Sequence, residues 1–277
     1  MLRRLLVLLG ETSSSVLARE LAIEHARECE AELAGLAGID LTFLEAGEAV
    51  PLGATAFAAH RKKELKRQAE EARARLHDEF AAECAAQGVP FDWLSFEGEP
   101  LAALYEATET RDVVITGHDT TFRGGLREEL PDMISKLSLA CPRPIILCAD
   151  RPCEGRDVLV AYDGSLPAMR AVQMFALLGF TGERRVLVTA IEPEQEIAER
   201  RTHAAAVFLR SHGYEVAELP VASRDPPATI IRGKIAHQSI HMTVMGAYGR
   251  RGWREFIFGS TTRALTAAPP CPLFLYH

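Results

Sequence analysis

The chain has 277 residues, of which 48% are hydrophobic, 25% charged and 7% aromatic, with a formal net charge of -7. That length suits two ordinary domains better than one large one, and the composition excludes fibrous, low-complexity and extensively disordered classes. The acidic balance repels polyanions and so excludes sequence-independent nucleic-acid binding, the basic cluster Arg250, Arg251 and Arg254 being a local exception.

The first element is an apolar run at residues 5–9 after two arginines. It resembles the start of a signal peptide, but the run is short and Glu11 ends it without a small-residue cleavage site, so it reads as a buried strand. No stretch reaches the roughly 18 apolar residues of a membrane span, and no membrane partner is expected. An alanine-rich helical stretch follows. Beyond it, an excess around residues 47–66 leads into a strongly charged helix from Arg61 through Glu83, whose alanine and leucine spacing suits one buried face. Next come Gly88 before a short strand, an apolar run ending at Gly117, and a Cys141-Pro142 step into another β-like run.

The second half repeats this series. Residues 158–162 match 5–9, Gly213 precedes a short strand as Gly88 does, 242–246 end in glycine as 111–117 do, and Cys271-Pro272 repeats Cys141-Pro142. Strands are expected near 157–162, 185–191, 214–219, 242–246 and 272–276, with helices between them. Short apolar strands alternating with helix-length stretches are the pattern of a parallel sheet covered on both faces. The expected fold is therefore α/β: two tandem doubly wound, Rossmann-like domains, residues 1–150 and 156–277, each a five-stranded mostly parallel sheet. Turn-forming residues at 150–156 mark the boundary. The six cysteines show neither CxxC pairs nor metal spacing and read as reduced thiols of a cytoplasmic protein.

One motif carries chemistry. After the strand at 242–245 come Gly246, two residues, Gly249, nine residues, Gly259 and then Ser260, Thr261 and Thr262, opening a helical stretch. Glycines let backbone approach a polyanion and adopt positive φ, and a loop running into a helix presents unpaired N–H groups. The position, at the C-terminal end of a parallel strand, is where open α/β sheets bind ligands. The alternative is that the glycines serve tight turns and Ser260 is an ordinary N-cap. Asp163, in Asp163-Gly164-Ser165, is likewise a turn and N-cap pattern before it is anything else.

The spacing of Gly246, Gly249, Gly259 and Ser260 resembles the ATP-binding signature of universal stress proteins. The opening at 158–165 and the ending at 271–275 are similar to that family's first and last strands. The resemblance covers nearly all of 156–277 and, more loosely, 1–150, so the chain resembles a tandem member with an adenine nucleotide alpha hydrolase-like fold. It implies ATP, with or without Mg. It assigns Asp163 to adenosine, Gly246 and Gly249 to ribose and phosphate, and Gly259, Ser260 and Thr262 to phosphates, with Thr261 and Arg250 as further contacts. From the topology alone, Ala190 and Ile191 would offer backbone groups to the adenine edge. The resemblance also implies that the two halves pair through their last strands as an internal pseudo-dimer, with a homodimer of whole chains and an unidentified protein partner open.

The first half is a degenerate copy. Thr120 replaces the second glycine, Glu129-Leu130 stand where Gly-Ser should, and residues 9–12 lack Asp-Gly-Ser, with Glu11 as a conceivable stand-in. A carboxylate among phosphates repels them, so no ATP is expected there. No catalytic triad or acidic metal holder is evident, leaving at most slow ATP hydrolysis or autophosphorylation. The leading expectation is an ATP-binding stress-response or regulatory protein. Its competitors are a nucleotide-independent interaction or small apolar ligand-binding module and an adenylate-forming enzyme, whose loop after the first strand this chain lacks.

Overall fold

The computed structural model describes residues 1–41, 55–118, 120, 122, 141–180, 185–247 and 259–277, without the side chains of 55–59 and 62. The N-terminal half runs β1 (Arg4–Leu8), α1 (Ser13–Cys29), β2 (Glu32–Asp40), α2 (Thr55–Gln87), β3 (Phe91–Gly98), α3 (Pro100–Thr108), β4 (Val113–Gly117) and β5 (Ile145–Cys148). The C-terminal half runs β6 (Asp157–Ala161), α4 (Leu166–Leu178), β7 (Val186–Thr189), β8 (Ile191–Glu192), α5 (Gln195–Ser211), β9 (Val216–Glu218), β10 (Val221–Ala222), α6 (Pro227–His237), β11 (Ile240–Gly246), α7 (Ser260–Thr266) and β12 (Leu273–Tyr276).

Local chemistry explains these elements. Strands β4 and β5 are buried along their whole length, as strands covered on both faces must be, whereas β3 at the sheet edge alternates in exposure. Helix α1 starts on Thr12, whose side chain accepts from the Ser15 amide, and α4 starts on Ser165, which accepts from the Ala168 amide with a proline in the first turn. Gly179 ends α4 at φ 74, a conformation that favours glycine. Helix α5, with 17 residues, corresponds to only the C-terminal part of the 33-residue α2, and the charged stretch from Arg61 onward lies within α2.

The two five-strand series form one ten-stranded sheet in the order β3-β2-β1-β4-β5-β12-β11-β6-β7-β9. Every pairing in it is parallel except β5 with β12, where Phe274 stands opposite Ile146 at the join between the halves. Strands β8 and β10 form a small parallel pair beyond the ends of β7 and β9. One face of the sheet carries α1, α2, α4 and α5, and the other carries α3, α6 and α7; on each face the buried apolar cluster runs through both halves. The halves therefore share their cores instead of each enclosing its own.

Equivalent positions in the repeat exchange volume. A Cβ on Gly35 would come within 2.6 Å of the Phe80 ring, so the phenyl fills space that glycine leaves. In the second half, the corresponding strand and helix positions are Val188 and Ala205, both buried. Large-with-small pairing is retained with the sizes swapped.

Candidate functional site

In each half the strand order reverses beside the first strand, at β1/β4 and at β6/β11. Ligands of open α/β sheets bind at such switch points, outside the carboxyl ends of the strands. At the second switch point, Asp163 follows β6, and its Oδ1 accepts from the Ser165 amide at 2.9 Å, which shapes the turn into α4. Burial first, and then the charge of Asp163, raises the Tyr162 phenol above its ordinary range. Gly246 ends the adjacent strand. A Cβ there would lie 2.6 Å from the Ala168 amide nitrogen, so the start of α4 sits directly on the strand end. Close approach, not positive φ, is what requires glycine at this position.

Gly259 precedes α7 at φ -54 and ψ 152 and offers no side chain to cap the first turn. The early amides of α7 therefore take no cap from the N-cap side chain. Ser260 is exposed and Thr261 half-buried. Thr262 differs from the expectation: its buried hydroxyl donates to the Gly246 carbonyl at 3.4 Å, so it fastens α7 to β11. Gly249 and Arg250 lie outside the described residues.

Ala190 requires a correction. Its amide donates to the Thr202 hydroxyl at 3.1 Å, and its carbonyl accepts from the Val221 amide at 2.9 Å. The Ala190 amide is therefore committed to Thr202, and its carbonyl already has one partner in Val221. Ile191 pairs with Val221 in a parallel ladder, whose geometry turns the Ile191 peptide groups away from β10. Sequence reasoning also missed two charged neighbours. Arg201 on α5 closes on Glu192 at the end of β8, the side chains being 18% and 13% exposed. Its Nε lies 3.3 Å from where a Cβ on Gly164 would stand, so the guanidinium covers the Asp163–Gly164 turn.

The first switch point has the same backbone and different contents. The amides of Leu9 and Tyr162 donate to Leu36 and Thr189 respectively, which aligns Gly10 with Asp163 and Glu11 with Gly164. Glu11 thus stands one residue past the carboxylate position and pairs instead with Arg75 at 2.9 Å. Gly117 touches the start of α1 as Gly246 touches α4. Thr120, in place of the second glycine, shares a 2.8 Å hydrogen bond with Ser15, which in turn meets Thr12 at 2.8 Å. The Phe122 carbonyl accepts from the Asp40 amide, and its ring packs edge-on against Phe96, the centroids 4.9 Å apart. Beside it lies a cavity lined by Leu9, Gly10, Glu11, Thr12, Gly38, Ala69, Ala72, Arg73, Leu76 and Phe122. Glu129 and Leu130 lie outside the described residues.

The cysteines are free, and burial pushes the Cys148 and Cys271 thiols up to about 12, which makes both poor nucleophiles. Among the described residues, no group of three His, Cys, Asp or Glu is placed to hold a metal ion, and no helix is long and apolar enough to cross a membrane.

Residues 155–277 match the model of the universal stress protein family. The chain is similar to a universal stress protein from Archaeoglobus fulgidus DSM 4304, with 18% identity and a TM-score of 0.71 over 99% of this chain and 97% of that one. It is also similar to a protein of Pseudomonas aeruginosa UCBPP-PA14 described as a universal stress protein, with 16% identity and a TM-score of 0.60 over 99% and 93% of the two chains. At such identities these likenesses speak for the fold. No curated protein matches the chain.

Proposed function

We propose, from the membership of residues 155–277 in the universal stress protein family, that the C-terminal half of this chain holds ATP and the N-terminal half does not. The contrast between two equivalent switch points carries the reading. At the second, the Asp163 turn leads into α4 where it meets the Gly246 edge, and Thr262 brings the start of α7, which has no N-cap side-chain bond, to the Gly246 carbonyl. At the first, Gly10 replaces the carboxylate, while Ser15, Thr120 and Phe122 occupy the same ground.

In this reading Asp163 accepts from adenosine, Ile191 offers the base edge its peptide groups, and Gly246 seats the start of α4 against the strand end beside the ribose. Gly259, Ser260 and Thr261 turn amides and hydroxyls toward the phosphates, together with Gly249 and Arg250. Thr262 holds the helix that does so. Mg, where it accompanies the nucleotide, offsets phosphate charge. ATP is a held ligand that stabilises one conformation in a cytoplasmic stress-response protein, with turnover slow at most. Whole chains dimerise and meet a protein partner in that role.

The test is to denature the purified protein and identify what it releases. Adenine nucleotide is expected, in an amount near one per chain, and none from the Gly259→Ile variant. The backbone of Gly259 is one that any residue adopts, so that variant adds no backbone strain, and its thermal melting beside the parent's reports whether the fold is kept. Nucleotide retained by Gly259→Ile, or absent from the parent chain, refutes the reading.

A second reading has its own support in the N-terminal cavity, where Leu9, Ala69, Ala72, Leu76 and Phe122 offer apolar contacts to a small ligand beside Glu11, Thr12 and Arg73. An organic extract of the protein analysed by mass spectrometry tests it, and an extract without such a compound counts against it.

A further inference from the structure

We propose that Glu192 and Arg201 are a specificity-determining pair of the C-terminal site. Arg201 positions the Asp163–Gly164 turn at the nucleoside end of the ligand, and the two charges reserve this crevice for a polar molecule. The inference rests on the nucleotide reading above and names the residues that would set its selectivity.

Three observations support it. The pair is mostly withdrawn from water, with 18% and 13% of the two side chains exposed, so it bears a desolvation cost that a surface pair does not. The guanidinium also spans two walls of one crevice, with the β8 carboxylate on one side and the Gly164 backbone on the other. Arg201 has five N–H donors in a planar fork, enough to hold Glu192 and still face the turn that carries Asp163.

The third observation comes from the repeat. Leu209 and Cys84 each accept a hydrogen bond from the amide five residues later, that of Tyr214 and that of Val89, and this aligns α5 with the end of α2. Arg201 then corresponds to Leu76, and Glu192, three residues beyond Thr189, corresponds to Ile39, three beyond Leu36. Leu76 and Ile39 are both buried, and Leu76 lines the N-terminal cavity. The same helix is thus held over the same strand end with aliphatic side chains at these two positions, and its ion pair to the turn is made one residue away, by Arg75 with Glu11. At these two positions the C-terminal crevice carries opposite charges and the N-terminal half carries aliphatic side chains.

The experiment exchanges the pair for its N-terminal counterparts in the full chain, as Glu192→Ile with Arg201→Leu, and titrates ATP and adenosine by calorimetry alongside thermal melting. Melting is expected to stay close to that of the parent, because apolar replacement of a buried pair is commonly neutral. Affinity for both ligands should fall about tenfold and by the same factor, since the pair acts on the part they share. Glu192→Gln, which preserves shape and removes one charge, gives an independent readout: faster hydrogen exchange at the Ser165 amide with weaker adenosine binding. Unchanged affinity in the double variant and in Glu192→Gln overturns the proposal while leaving the nucleotide reading intact. Loss of ATP binding with adenosine binding unaffected also overturns it, because the pair would then act at the phosphates. A parent chain that binds neither ligand overturns the nucleotide reading and the proposal together.

Discussion

Glycine at the ends of β4 and β11 is a packing requirement. At Gly246 an added methyl meets the Ala168 amide at 2.6 Å, and at Gly117 it meets the Ser15 amide at 2.7 Å; both obstacles are backbone and cannot rotate away. Gly246→Ala and Gly117→Ala should each lower the free energy of unfolding in urea by about 1–3 kcal/mol. Equal stability of either variant and parent would mean that the helix starts can retreat. Thr202 makes a similarly local contribution, because its hydroxyl satisfies the buried amide of Ala190. Thr202→Val, nearly the same shape, strands that donor and should cost about 1–3 kcal/mol, whereas Thr202→Ser should recover most of it. A Val variant as stable as the parent would show that another acceptor takes over.

Among the elements, α2 and β3 are tied at the N-terminal edge by Glu97, which pairs with Lys66 at 3.2 Å and Arg73 at 3.1 Å. The hydrogen bond from Lys66 first, and that from Arg73 after it, hold the Glu97 carboxyl below its ordinary value of 4.5 against the opposing effect of burial. A lowered folded value means that the stabilisation is fully present above 4.5 and is lost as pH falls through the folded value. Because these side chains are well solvated, the contribution is about 0.5 kcal/mol. Glu97→Gln should lose less stability than the parent when urea midpoints at neutral pH are compared with midpoints well below 4.5. Identical acid sensitivity of the two proteins would remove Glu97 from the account. The order of α and β elements was legible because apolar runs alternate with amphipathic stretches. The small β8–β10 pair was not, since two-residue strands leave no periodicity to read.

For the whole molecule, the antiparallel β5–β12 pairing determines how the chain behaves. Phe274, fully buried, contacts Phe175 and Phe180 near this join, and Leu2 at the start of the chain donates to the Leu178 carbonyl of α4 at 2.9 Å. Cores that run across the join should melt together. Scanning calorimetry is expected to show one transition, and Phe274→Ala should lower stability by about 3–5 kcal/mol without splitting it. Two resolved peaks, one insensitive to this substitution, would show that the halves unfold separately.

By itself the sequence determined the α/β class, the internal repeat, the series of strands along the chain in each half and the glycine spacing after β11. Each of these is written in periodicity or turn chemistry over a few neighbouring residues. Only the tertiary structure decided that the Ala190 amide is committed to Thr202, that Thr262 fastens a helix, that Gly10 and not Glu11 is the equivalent of Asp163, and that Arg201 reaches Glu192 over Gly164. Those facts depend on groups from different strands and helices meeting beyond the carboxyl ends of the strands in each half. Spacing along a chain carries no record of which distant polar group has already been satisfied by another.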